Sequence, residues 1–190
     1  MNKILKEYIC EVFRGDFNYN RYFVYRHALF NPKLNKIKRI YYNWYINHVN
    51  NKFGASITHT VSRPDNFKTP PILPHGILGV VMSSDAIIGK NCIISQQVTI
   101  GASEGGSPIV GDNVYFAPGA KAFGNIHIGN NVRIGANCVV FKDIPDNATV
   151  VLEKPRVIVK SSQYKYAIRT EDDFKRRNWG ENGKIQYVLD

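Results

Sequence analysis

The chain has few cysteines and no long apolar run, and both shortages limit what it can be. Its three cysteines, Cys10, Cys92 and Cys138, have no paired spacing and indicate neither a disulfide framework nor a zinc site. No apolar stretch approaches the roughly 18 residues needed to span a membrane. The first seven residues include two lysines and lack the apolar core of a secretory signal. These features lead us to expect a cytoplasmic protein.

Acidic residues are scarce in the N-terminal part of the chain. The net charge is +10, and residues 1–52 hold ten Lys or Arg against three acids. The bases are mixed with aromatics over residues 21–26 and 38–45. We favour the interpretation that these residues form a solvated helical face. The second interpretation is peripheral contact with the anionic inner face of a membrane. Nucleic acid binding is not expected, because no recognised motif accompanies the charge.

A repeat of six residues runs from Met82 to Ile144 and is interrupted once. The first and fifth positions of its nine hexads are all apolar. Eight of the nine fourth positions are Asn, Asp or Gly, which tolerate a left-handed backbone. Neither a helix nor a single strand has this period. Short strands that alternate with left-handed corners do, and they predict a parallel β-helix.

The repeat sets the expected fold, which is mainly β. Three hexads make one coil of 18 residues, and successive coils should rise by about 4.8 Å. The regular part amounts to a little over three coils, preceded by an imperfect coil with an inserted loop around residues 64–67. Residues 1–53 are expected to form a helical segment that caps the β-helix of residues 54–159. Residues 160–190 are expected to form a tail with a short helix after Thr170.

The helical segment is expected to break near Gly15 and Asp16 and again near Asn31 and Pro32. Apolar residues recur at spacings of three and four in its second half, which predicts one helical face. These residues are Leu34, Ile37, Tyr41, Trp44, Tyr45 and Val49.

Two hexads, IGNNVR at residues 128–133 and IGANCV at residues 134–139, resemble the hexapeptide repeat of left-handed β-helix acyltransferases. The run from His75 through residues 98–101 to residues 120–126 is similar to serine O-acetyltransferases. It is closer still to their relatives in polysaccharide biosynthesis. The resemblance covers roughly residues 70–158. It implies a left-handed coil, acetyl-CoA as acyl donor, and a homotrimer with active sites between subunits.

His75 matches the essential histidine of the serine acetyltransferase group. Acyl transfer from a thioester to an alcohol needs a base with a pKa near 7 within reach of the hydroxyl. The resemblance therefore implies that His75 is the general base. The acid that orients the family's histidine is missing, which leaves Asp65 and Asp85 as candidates, and Glu104 of a neighbouring subunit as a third.

Four extra residues after Ile100 interrupt the repeat and form a Gly-rich loop over residues 103–108. Loops on a rigid scaffold commonly carry binding groups, so Glu104 and Ser107 are candidates for substrate binding. Serine acetyltransferases have an acid where this chain has Pro74, and a histidine where it has Ser107. Both family residues help to hold serine. We therefore expect a sugar or polysaccharide precursor as acceptor, with serine acetylation and a non-catalytic scaffold as alternatives.

The family lays pantetheine in a groove along small corner residues, and the matching positions are Gly101, Ala117, Pro118, Gly119 and Ala136. Lys142 and Arg156 are candidates for charge-assisted contacts with the nucleotide phosphates. The β-helix carbonic anhydrases would instead place three histidines on zinc. The spacing of His59, His75 and His127 does not match theirs, and no metal is expected.

Overall fold

The computed structural model describes residues 17–57, 65–153 and 157–159. The chain divides into two compact units, residues 1–153 and residues 154–190. The predicted break near Gly15, the tail helix after Thr170, and the candidate residue Arg156 lie outside the described residues.

Within residues 17–57, two helices precede the solenoid. Helix α1 covers Tyr19–Ala28 and helix α2 covers Lys36–Lys52. Each is capped by an asparagine directly before its first residue. The side-chain oxygen of Asn18 accepts from the backbone N–H of Arg21, and that of Asn35 accepts from the backbone N–H of Ile37. The predicted break near Asn31 and Pro32 is confirmed. Neither helix is long and apolar enough to cross a membrane.

The predicted apolar face of α2 is divided between the core and solvent. Tyr45 and Val49 are buried, together with Ile46, and pack toward the solenoid. Ile37 and Trp44 are instead 77% and 49% exposed. The spacing alone could not separate them, because the helix carries apolar residues on two opposite faces.

In the part of the chain that the structure describes, twelve short strands, all parallel to their partners, form three sheets. Their bounds are β1 Ser56–Ile57, β2 Val81–Met82, β3 Ile87–Ile88, β4 Ile93–Ile94, β5 Thr99–Gly101, β6 Ile109–Val110, β7 Tyr115–Phe116, β8 Lys121–Phe123, β9 His127–Ile128, β10 Arg133–Ile134, β11 Val139–Val140 and β12 Thr149–Val150. The sheet orders are β1-β2-β5-β8-β11, β12-β10-β7-β4 and β3-β6-β9.

The strands coil into a left-handed parallel β-helix of about four turns, as predicted. Successive partners such as Val110 and Ile128 are 18 residues apart, and the loop widens the interval from Ile88 to Val110 to 22. The imperfect first coil is also present, since β1 pairs with β2 and Ile72 bridges to Ile93. Phe67 bridges to Ile88 and so belongs to this coil rather than to an inserted loop.

Three edges separate the three sheets, and we name each by its contents. The asparagine edge stacks Asn91, Asn113, Asn131 and Asn147, all with positive φ. Each amide donates to the next along this ladder, at 3.3, 3.2 and 3.1 Å. The histidine edge comprises residues 74–79, 95–98, 117–120 and 135–138, and the loop edge comprises residues 83–86, 102–108, 124–126 and 141–143.

The predicted left-handed corners occur on the first two edges only. On the histidine edge, φ is positive at Gly79, Gln97, Gly119 and Asn137. On the loop edge, the fourth-position residues Asp85, Asn125 and Asp143 do not have positive φ. The loop edge therefore turns by a different backbone path.

The inward positions of the hexads fill the core of the solenoid. All eighteen predicted positions, from Met82 to Ile144, are buried. The helices close the first coil, because Gly79 donates to the carbonyl of Phe53 and the Tyr22 hydroxyl donates to the side chain of Asn50. Terminal repeats need a cap of this kind.

Candidate active site

His75 lies on a widened turn of the histidine edge. Val81 follows Ile72 by nine positions. In the next coil, Thr99 follows Ile93 by only six, although Ile93 pairs with Ile72 and Thr99 pairs with Val81. The three extra residues carry the His75 side chain outward, where it is exposed. A protruding histidine on a rigid coil suits a base that must meet a substrate.

An apolar cleft of about 700 Å³ adjoins His75. The helical segment forms one wall and the first coil forms the other. The lining residues are Phe17, Tyr19, Phe53, Ile72, Leu73, His75 and Gly76. The sequence did not identify the three aromatics, Phe17, Tyr19 and Phe53, as residues of the site. The one feature that pointed to them was their place in the basic N-terminal segment.

Hydrogen bonds and glycine conformations fix this turn. The N–H of Gly76 donates to the carbonyl of Leu73 at 3.2 Å, and φ is +65° at Gly76 and +64° at Gly79. The Tyr19 hydroxyl donates to the carbonyl of Pro71 at 3.1 Å, and burial raises the pKa of this phenol. This contact and the hydrogen bond from Gly79 to Phe53 join the helical segment to the first coil.

Asp65 is engaged away from His75. One carboxylate oxygen accepts from the guanidinium of Arg26, and the other lies 3.2 Å from Nδ1 of His27. Arg26 is fully buried, donates also to Asn66, and lies 4.6 Å from the ring centre of Phe67. Asp65 lines a separate apolar pocket beside α1 and not the His75 cleft. Its predicted orienting role gains no support from these contacts and stays a prediction.

Asp85 and the predicted substrate loop lie on the loop edge. The carboxylate of Asp85 accepts from the Ser84 hydroxyl and is exposed. In the loop, Ser103 and Gly106 exchange backbone hydrogen bonds at 3.0 and 3.1 Å, which leaves Glu104 exposed at the tip. Its predicted role beside His75 of a neighbouring subunit stays a prediction.

Ser107 is buried at the base of the loop. It is 7% exposed, and its hydroxyl lies 2.9 Å from that of Ser83. A side chain held this way supports the loop, and it would have to leave Ser83 to contact an acceptor. Its predicted role in substrate binding remains a prediction.

The predicted coenzyme residues divide between two edges. Ala117, Pro118, Gly119 and Ala136 stack on the histidine edge, where the N–H of Asn137 donates to the carbonyl of Pro118 at 3.0 Å. Gly101 and Lys142 lie at the loop edge. A β-carbon at Gly101 would come within 2.7 Å of the Phe123 ring, so packing alone requires this glycine.

The candidate residues therefore form two groups in one subunit. His75 shares the histidine edge with residues 117–119 and Ala136. Asp85, Glu104, Ser107 and Lys142 lie on the loop edge, and Gly101 directly precedes it at the end of β5. Within residues 17–57, 65–153 and 157–159, no three metal-ligating side chains come together.

No family model matches the chain. The serine acetyltransferase of Synechococcus elongatus is 46% identical over 93 residues, which are 47% of this chain and 38% of that protein. The chain thus spans little more than a third of the length of this curated relative.

Solved structures extend the likeness to the fold. The serine acetyltransferase of Neisseria gonorrhoeae in complex with serine aligns over 71% of this chain and 54% of its own, with a TM-score of 0.53 and 29% identity. A serine acetyltransferase in complex with CoA aligns over 68% and 50%, with a TM-score of 0.52 and 27% identity.

The fold and the repeat are similar to those of left-handed β-helix hexapeptide-repeat acyltransferases, as the resemblance implied. Among these proteins, the chain is similar to serine acetyltransferases. These names favour serine, the alternative acceptor, over the expected sugar, and they give no support to polysaccharide biosynthesis.

Proposed function

We propose that this chain is an O-acetyltransferase that uses acetyl-CoA and His75 as its general base. The observation that carries the proposal is the placement of His75, exposed beside an apolar cleft on a turn that two glycines and the helical segment hold in place. The CoA complex of a structural neighbour supports the choice of donor.

The reaction needs one base and no acyl-enzyme. An imidazole nitrogen of His75 takes the proton of the acceptor hydroxyl while the hydroxyl oxygen attacks the thioester carbonyl. Collapse of the tetrahedral intermediate breaks the C–S bond, and the proton passes from His75 to the departing sulfur. The products are an acetyl ester and the free thiol of CoA. Backbone N–H groups are suitable donors to the oxyanion.

L-Serine is the first candidate acceptor, because the similar proteins are serine acetyltransferases and one structure holds serine. A sugar hydroxyl is the second candidate, on a specific observation. Pro74 carries no ionisable group, and the hydroxyl of Ser107 is buried against Ser83. Neither supplies the charged anchor that a small zwitterion calls for.

We further propose a cytoplasmic homotrimer in which each site combines the histidine edge of one subunit with the loop edge of the next. The division of the candidate residues between two edges supports this arrangement. So do exposed apolar side chains on the outer faces of the solenoid, namely Val81, Ile87, Ile109 and Val139, together with Phe141 on the loop edge. We propose that the chain is organised as a helical segment of residues 1–53, a β-helix of residues 54–159 and a tail of residues 160–190.

Release of the CoA thiol from acetyl-CoA tests the function, with L-serine compared against nucleotide sugars and oligosaccharides. We expect His75→Ala to lower kcat by roughly 10²–10⁴-fold, while His127→Ala, at an exposed histidine on β9, leaves it unchanged. Thiol release with sugars and not with serine would select the second acceptor. Failure to bind CoA in calorimetry would leave a scaffold as the function.

A further inference from the structure

The described part of the helical segment carries cations without acids. Residues 17–57 contain no Asp or Glu, yet they contain seven basic residues: Arg21, Arg26, Lys33, Lys36, Lys38, Arg39 and Lys52. Arg26 is buried beside Asp65, and Arg39 donates to the carbonyls of Leu29 and Asn31. Lys33, Lys36 and Lys38 are exposed around the start of α2. The positive end of the helix dipole lies at the same place.

An apolar stripe follows these lysines along α2. The outer stripe consists of Ile37, Ile40 and Trp44, which are 77%, 71% and 49% exposed. Spacings of three and four place them on one side of the helix, opposite Ile46 and Val49 in the core. Both sides of α2 are therefore apolar, and the core accounts for one of them.

We propose that the outer stripe and the lysines beside it dock this protein on an anionic lipid surface. The isoleucines would enter the boundary between headgroups and acyl chains, and the lysines would meet the lipid phosphates. Trp44 suits the same depth, because indole rings favour the membrane interface. It stacks on Tyr41 and His48, with ring centres 6.2 and 5.4 Å apart, and so presents a broad aromatic surface.

Charge complementarity selects this occupant over others. A nucleic acid would use the lysines but would leave the two isoleucines in water. A second copy of this segment would use the stripe but would bring like charges together, which is unfavourable. An anionic bilayer satisfies both groups at once.

Docking would also orient the candidate active site. Phe53 directly follows α2 and lines the His75 cleft, as does Phe17, which precedes α1. The helical segment therefore joins the proposed lipid contact to the cleft. The docking proposal stands apart from the choice of acceptor, because it rests on α2 alone.

Co-sedimentation of the full chain with vesicles tests the proposal. We expect binding to vesicles of phosphatidylcholine with about 30% phosphatidylglycerol, weaker binding at about 0.5 M salt, and little binding to pure phosphatidylcholine. The variant Ile37→Ser/Ile40→Ser should abolish sedimentation with the anionic vesicles. The variant Lys36→Glu/Lys38→Glu should lower the partition coefficient at least tenfold, since each base near such a surface contributes roughly fivefold.

Matched variants elsewhere serve as controls. Val151→Ser, at an apolar residue 72% exposed, and Lys90→Glu, at an exposed lysine of the solenoid, should bind vesicles as the parent does. In a Trp179→Phe background, which leaves Trp44 as the single tryptophan, its emission should shift to the blue when anionic vesicles are added. Equal binding by the stripe variant and the parent would overturn the proposal. A change from a larger to a smaller oligomer in the stripe variant, without vesicle binding by the parent, would assign the stripe to self-association instead.

Discussion

The ring of Phe17 packs on the α-carbon of Gly76, so closely that a β-carbon there would lie 3.3 Å from Cδ1 of Phe17. The glycine adjoins His75, and Phe17 belongs to the helical segment. The conformation of the proposed catalytic turn therefore depends on a residue far earlier in the chain.

Gly76→Ala should destabilise the protein and lower acetyl transfer together. A side chain at φ +65° costs about 1 kcal/mol, and displacement of Phe17 adds to this. Gly54→Ala is the matched control, because Gly54 has φ +57° and nothing within 4 Å of the added β-carbon. Urea unfolding and kcat are the measurements. Equal losses of both in the two variants would show that the Phe17 contact is unimportant.

Asp65→Asn should make the helical cap of the first coil less stable, and it should leave the kcat of acetyl transfer unchanged. The substitution removes the negative charge beside the buried Arg26, which we expect to cost roughly 3–5 kcal/mol of unfolding free energy. His27→Gln, which removes the exposed partner of the same carboxylate, should cost less than about 1 kcal/mol. A large fall in kcat for the folded Asp65→Asn enzyme would instead support the predicted orientation of His75.

Asn113 tests the ladder of the asparagine edge. Asn113→Gly keeps the left-handed corner and removes two amide hydrogen bonds, at an expected cost of about 1–2 kcal/mol. Asn113→Ala loses the same bonds and adds strain at φ +59°, so it should be less stable by about 1 kcal/mol more. Thermal unfolding of the pair separates the two effects. The proposed ladder energy would be refuted by an Asn113→Gly variant as stable as the parent.

A charge in the core should be far more damaging than one on the surface of the same strand. Ile134 is fully buried, and Arg133, its neighbour in β10, is exposed. Ile134→Asp should prevent folding, because burying an unpaired carboxylate costs many times the roughly 1.5–3 kcal/mol of the lost apolar burial. Arg133→Asp should fold with a modest loss. Far-ultraviolet circular dichroism distinguishes them, and comparable spectra and melting temperatures would contradict the expectation.

Cys92 should make the fold less stable in alkali. Burial raises the pKa of this thiol, so above pH about 8.5, its ordinary value, the unfolded chain loses the proton while the folded chain retains it. Stability is then lost as pH rises through that value. The slope of unfolding free energy between about pH 8 and 10 should be less steep in Cys92→Ala than in the parent. Identical slopes would count against a buried neutral thiol.

The sequence predicted the solenoid well and the site only in part. A period of six with apolar first and fifth positions is satisfied by a coil that turns all of these side chains inward. All eighteen such positions from Met82 to Ile144 are buried. The surroundings of His75 could not be predicted in this way. Phe17 and Phe53 reach the cleft through packing between distant segments, which no local pattern encodes. Arg26 likewise takes Asp65 as its partner across a long interval of chain.

The loop edge absorbs every change of length in the regular part of the solenoid. It holds the insertion before Ile109, and it shortens the last interval, from Ile128 to Ile144, to 16 residues. The other two edges keep their left-handed residues in an unbroken stack, while the loop edge has no such stack to disturb. Related solenoids can therefore change the length of this edge, and with it one side of the proposed site, while the remaining two sides stay in register.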